Sequence, residues 1–196
     1  MASAEMPAEH AILGLLTLEG DREGEGYGYD LARHFTGDQP LATVLRLEPG
    51  MLYHHLKKLA RARWVDVTVE PQGTRPPRQV YRLTPAGRDE LHRWLSEPVA
   101  RTREIRLEFL VKLYFARRLD PALATRLLTE QTEICRRLAT SLSRQRANLD
   151  IELAAAEGNQ AEATRSFRQL VLDLRLAQTR AALDWLSHAA TGTPSG

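Results

Sequence analysis

Residues 47–65 read LEPGMLYHHLKKLARARWV, and within them Tyr53, His54, Lys57 and Lys58 crowd hydrogen-bond donors and positive charge onto one short segment. Tyr hydroxyls and Lys ammonium groups bond phosphate oxygens, while a His or Lys on an exposed helix face reaches a base edge. From Lys57 to Arg82 seven basic residues (Lys57, Lys58, Arg61, Arg63, Arg75, Arg78 and Arg82) face only Asp66 and Glu70, a local +5 in a chain whose net charge is +2. That concentration is an electrostatic footprint for a polyanion. Other chemistry is scarce. His54 and His55 are adjacent, so on a helix they point apart and suit no chelate. The lone Cys135 falls on an apolar stripe and reads as buried filler. With no Gly-rich phosphate loop, no His-Glu-x-x-His pair, no Cys cluster and no nucleophile elbow, no catalytic residue, metal site or cofactor is expected.

Composition bounds the rest. At 196 residues, 43% apolar and 27% charged, the chain is long enough for one large or two small domains of an ordinary soluble protein. No stretch approaches the roughly 18 consecutive apolar residues of a membrane span. MASAEMPAEH lacks the features of a signal peptide, and a single cysteine allows no internal disulfide, so a cytoplasmic location is expected.

The elements around the basic segment explain its start and stop. AEHAILGLLTL at 8–18 places Ile12, Leu15 and Leu16 on one helix face, and EGDREGEG follows as a Gly-rich charged loop. YGYDLARHFTG is a second short helix, with Tyr27, Leu31, Ala32 and Phe35 inward and Gly37 as its stop. After the loop through Pro40, Leu52, Leu56 and Leu59 form the seam of a third helix and are core, not contact residues. WVDVTVE alternates like a half-buried strand, PQGTRPPR turns, and QVYRL returns. Thr84 and Pro85 then suit the N-cap and first position of a fourth helix. Helix, helix, helix, strand, turn, strand, helix is the order of a winged helix-turn-helix with a two-stranded wing, whose third helix enters the DNA major groove. In isolation, the lysines and arginines would be only the wet face of an amphipathic helix. Third in this order, with Arg75 and Arg78 on the wing behind it, they point to nucleic acid.

Beyond SEPVARTRE the pattern is helical only, giving a mainly α protein. The expected domains are a tail at 1–7, the winged domain at 8–97, an all-α dimerisation and effector domain at 98–190, and a tail at 191–196. Ile105, Phe109 and Leu113 make one stripe, Asp120-Pro121 starts a long helix, and a turn is allowed at Gly158-Asn159. The last helix carries Phe167, Leu170, Val171, Leu174, Ala181 and Trp185 on one side and Leu172, Leu176, Leu183 and Leu186 on another. A helix apolar on two sides needs cover on both. A second copy of the chain is the economical cover, with Phe167, Leu170, Leu174, Ala181, Leu183 and Trp185 as the expected dimer interface.

GYDL at 28–31, PGMLYHHLKKL at 49–59 and RQVYRLTPAGRDEL at 78–91 resemble PadR-type transcriptional regulators, and LEFLVKLYFARRL with LRLAQTRAALDWL resembles that family's C-terminal helices. The resemblance runs from about residue 8 to 188. MarR-type regulators share the RLTPAGR flavour, but place a dimerising helix before the winged domain. The chain departs from the PadR pattern in three places. Met51 stands where Thr or Ser is usual and brings no hydroxyl; His54 stands where Pro is usual and brings a side chain toward DNA; the GDREGEG loop is longer. The resemblance implies a homodimeric repressor on a palindromic double-stranded operator, with Tyr53, His54, Lys57, Lys58, Arg75 and Arg78 as DNA contacts. It also implies an effector pocket between the two domains, with Phe109, Tyr114 and Trp185 as candidate lining and a hydrophobic, aromatic or anionic small molecule as occupant. The competing expectation is a winged module that docks a protein and reads no DNA sequence.

Overall fold

The computed structural model describes residues 7–19, 25–73, 75–154 and 159–191, with side chains described for 7–18, 25–73, 77–149 and 167–191. Helix α1, Pro7–Glu19, is the hub of the first half. Instead of one buried face it is buried on every side from Ala8 to Leu16, because the helices Pro49–Arg61 (α3), Pro85–Ser96 (α4) and Leu110–Leu119 (α6) and the sheet all pack on it. Gly14 lets α6 close in: a Cβ there would stand 2.5 Å from the Phe115 ring. Burial of this kind normally excludes polar groups unless they are paired. Glu9 and His10 are paired, and each reaches a different helix.

Strand β1, Glu25–Tyr27, comes next and runs straight into α2, Gly28–Arg33. Leu31 and Phe35 seal the inner side of α2, and Gly37 ends the turn at φ +64°. A single 3-10 turn, Leu41–Thr43, leads to α3, Pro49–Arg61, which starts on Pro49 at its first position. Leu52, Leu56 and Leu59 of α3 are fully buried. The helix stops where Arg63 adopts φ +60°, and β2, Val65–Gln72, and β3, Arg75–Leu83, form the hairpin. The sheet has three strands in the order β1-β3-β2, not the expected two: Glu25–Tyr27 pairs antiparallel with Val80–Arg82. A three-residue strand containing glycine carries no alternation to read. Its register is held from outside, by β3 and by the Glu25–Arg82 ion pair. Along β2, Val65 is buried, but Val67 and Val69 are exposed, so the outer part of the hairpin lacks an apolar surface beneath it.

Helix α4, Pro85–Ser96, is capped by Thr84, whose hydroxyl accepts from the Gly87 N–H at 3.0 Å and donates to the Arg63 carbonyl at 2.8 Å. One residue thus ties the end of α3 to the start of α4. Gly87 lies so close under that turn that a Cβ would stand 2.2 Å from the Trp64 carbonyl oxygen. Backbone cannot yield as a flexible side chain does, so Gly87→Ala is expected to cost about 3 kcal/mol of stability, at the upper end of overpacking penalties. Urea denaturation followed by circular dichroism reads this directly; a change below about 1 kcal/mol would contradict the close packing.

The chain divides into two compact units, residues 1–98 with 106–127 and residues 99–105 with 128–196. A short α5, Thr102–Glu104, widens to a π turn at Ile105–Phe109 and continues as α6. Helices α7, Pro121–Ala154, and α8, Asn159–Thr191, complete the chain, and α7 starts on an Asp120 side chain that accepts from the Ala122 N–H at 2.9 Å. Within the second unit, the buried Gln131 amide grips Val99 at both its N–H (2.8 Å) and its carbonyl (3.0 Å). Arg146 of α7 pairs with Asp173 of α8 at 2.7 Å. Cys135 is buried beside Gln131, and burial pushes its thiol above the usual range, which suits filler rather than a nucleophile. Among the described residues no helix is long and apolar enough to cross a membrane. No three metal-binding side chains converge among those residues either.

Candidate nucleic-acid interface

The seam of α3 decides what its other side presents. With Leu52, Leu56 and Leu59 inward, Gly50, Tyr53, His54, Lys57 and Arg61 fall together on the outer face at spacings of three and four, and all five are exposed. Lys57 and Arg61 hold no ion pair among the described residues, so both charges are available to a partner. Arg46, just before the helix, is also exposed. Tyr53 is positioned by its neighbour: a Cβ on Gly28 would come within 2.7 Å of its ring, so the start of α2 must be a glycine for the phenol to lie there. Tyr53 thereby bridges the two helices of the helix-turn-helix while keeping 40% of its surface exposed.

Lys58 turns away from this face. One position on from Lys57, it ion-pairs with the buried Glu9 of α1, which also bonds His55 Nδ1 at 3.2 Å. Burial alone would raise the Glu9 carboxyl, but its bonds to Lys58 and His55 outweigh burial and hold it below its ordinary value. A parallel device links α1 to α4: His10 Nε2 meets Glu90 at 2.9 Å and its ring stacks on Trp94 at 4.4 Å. Lys58 and His55 therefore fix how α3 sits on α1. Arg61, not Lys58, shares the exposed outer face with Lys57. Its position seven residues after His54 and four after Lys57 is the signal that marks it.

The wing is less free than its composition suggests. Arg78 donates to Glu70 at 2.9 and 3.1 Å, and its guanidinium lies 4.0 Å over the Tyr27 ring. The side chain of Arg75, at the start of β3, lies outside the described residues. Between α2 and the hairpin runs a cleft of about 700 Å³ lined by Asp30, Arg33, Glu70 and Arg78 among others. Its acids and bases offset one another, so it makes a poor seat for phosphate. The strong positive face is that of α3.

The remaining candidate residues lie in both units. Phe109 is fully buried in the first unit, and Tyr114, half-buried there, carries Arg118 at 3.7 Å from its ring centroid. On α8 of the second unit, Phe167, Leu170, Val171, Leu174, Ala181 and Trp185 form an exposed stripe at heptad spacing, Phe167 67% and Leu170 64% exposed. Leu183 is half-buried and off that stripe, among Leu176, Thr179 and Leu186, which are buried.

Comparison with known proteins bears on the whole chain. Residues 13–93 match the Transcriptional regulator PadR-like family and residues 105–192 match the Virulence activator alpha C-term domain. Residues 13–93 make a PadR-like transcriptional regulator domain. The Negative transcriptional regulator PadR of Bacillus subtilis is 29% identical over 180 residues, covering 91% of this chain and 92% of that protein. A probable transcriptional regulator of Mycobacterium tuberculosis is 35% identical over 98 residues, 50% of this chain and 48% of that one. The crystal structure of Bacillus subtilis PadR in complex with operator DNA is 28% identical with a TM-score of 0.43, covering 94% of this chain and 97% of that one. PadR of the same organism in complex with p-coumaric acid is also 28% identical, with a TM-score of 0.38, covering 96% of this chain and 97% of that one. The first PadR-like match contains α3 whole, so its exposed basic face belongs to the part of the chain that carries the family resemblance.

Proposed function

We propose that this regulator is a homodimeric repressor that reads a palindromic double-stranded operator with α3 and is released by a small-molecule effector. The single observation that carries the reading is the outer face of α3, where Tyr53, His54, Lys57 and Arg61 stand exposed in the third helix of a winged fold. Tyr53, Lys57 and Arg61 bond phosphates and set the register; His54 reaches a base edge. The protein acts in the cytoplasm, where its DNA is. The repressing sense follows the negative regulator to which the chain is similar along most of its length. The dimer follows from the apolar stripe of α8, since contiguous exposed apolar surface of this kind marks an interaction site.

Phosphate contacts release counterions, so their number appears in the salt dependence of binding. Lys57→Ala and Arg61→Ala are each expected to weaken binding and to lower the slope of log K against log salt by about one per protomer. Lys58→Ala, whose ammonium is committed to Glu9, leaves the slope nearly unchanged. Fluorescence anisotropy on a duplex from the region upstream of the protein's own gene measures all three. Equal slopes for wild type and the Lys57 and Arg61 variants would overturn the recognition-helix assignment.

A further inference from the structure

In the second unit a cleft of about 350 Å³ opens between the segment 100–103, α7 and α8. Three arginines line it, Arg101 and Arg103 from the segment and Arg175 from α8, and no acidic residue does. Arg101 is partly neutralised by Glu104 at 3.5 Å, whereas Arg103 and Arg175 hold no ion pair among the described residues. Like charges brought to one cleft repel, and an anion between them relieves that repulsion. The floor is different in kind: Leu142 is fully buried and Leu138 half-buried, both on α7. The hydroxyls at the back are already engaged. Thr179 donates to the Arg175 carbonyl at 2.8 Å, so in its 3.2 Å contact with Thr102 the proton comes from Thr102. What remains to greet a ligand is guanidinium, the Gln178 amide and apolar surface.

We infer that this cleft binds a small organic carboxylate with a short apolar body, its carboxylate held by Arg103 and Arg175 and its body laid on Leu138 and Leu142. Guanidinium forks match a carboxylate in geometry as well as charge, and a few placed polar groups over an apolar floor are the usual make-up of a small-molecule site. A solvated arginine surface has no need of that floor. That the ligand acts as the effector rests on the regulator reading proposed above; that it binds does not.

Isothermal titration of the full chain with hexanoate and benzoate, beside hexanol and inorganic phosphate, tests the site. At least one carboxylate should bind with a Kd below about 1 mM. Arg103→Gln and Arg175→Gln, both at exposed positions, should each weaken it at least tenfold without lowering the melting temperature of the free protein. Hexanol and phosphate should bind at least tenfold more weakly than that carboxylate. No binding of either carboxylate, or unchanged affinity in the double Gln variant, overturns the assignment. Phosphate binding as tightly as the carboxylate also overturns it and shows a site for inorganic anions. Because these titrations contain no DNA, failure of the operator reading leaves their outcome intact.

Discussion

Leu170→Glu combined with Leu174→Glu is expected to turn the protein into folded monomers and to lower operator affinity roughly a hundredfold, since avidity between two half-sites is lost. Both leucines stand on the α8 stripe with more than half of their surface exposed, at 64% and 59%, so charging them removes little packing within the chain. What they lose is the partner. A glutamate on the stripe meets its symmetry mate's apolar surface, and in a two-fold interface each change counts twice. One recognition helix covers only a few base pairs, whereas two set roughly 34 Å apart read a palindrome across one turn of DNA. Sedimentation velocity and anisotropy on the same sample separate assembly from binding. A wild-type chain that sediments as a monomer at micromolar concentration, or a double variant that stays dimeric, would disprove the interface. Leu183→Glu is a useful contrast, because that side chain is half-buried in its own unit and its replacement should lower stability instead.

The second large effect lies in the core. Glu9→Ala is expected to destabilise the winged unit by up to about 3 kcal/mol, the cost of leaving a buried hydrogen-bonding group without its partner. His55 is buried and bonds Glu9 through Nδ1, while its Nε2 has no partner among the described residues, so without Glu9 the ring is left unsatisfied. Lys58, half-exposed, can turn to water. The same carboxylate sets an acid limit. Because its folded value lies below the ordinary 4.5, its contribution is complete above about pH 4.5 and fades as pH falls through the lower folded value. Glu90, also held low against burial by its bonds to Arg93 and His10, fades in the same direction. Urea titrations between pH 3 and 7 should therefore show Glu9→Gln flatter than wild type below about pH 4.5. Parallel curves would show that Glu9 contributes nothing to acid sensitivity.

Much of the winged fold is legible because its signals are local. Proline at the start of α3, leucines at 52, 56 and 59, and Thr84-Pro85 before α4 each specify one boundary or one face without outside help. The outer face of α3 follows from those leucines by geometry, and it brings Tyr53, His54 and Lys57 together as the spacing predicts. What the sequence conceals is long-range. Strand β1 exists through pairing with residues 80–82, far along the chain. Lys58 looks equivalent to Lys57 until α1 places Glu9 beside it, 49 residues away. Arg78 looks free until the hairpin register sets Glu70 opposite. Helix α1 reads as one-faced because nothing in residues 8–18 announces that α6 will cover its other side.

Hydroxyl-radical footprinting of the full-length protein on the DNA upstream of its own gene tests the central claim most directly. The proposal predicts two protected patches related by two-fold symmetry, their centres about one helical turn apart, and their loss in the His54→Ala, Lys57→Ala, Arg61→Ala triple variant, which still folds. Protection that persists in the triple variant, or a single unsymmetrical patch, would contradict the reading of α3 as the helix that recognises DNA.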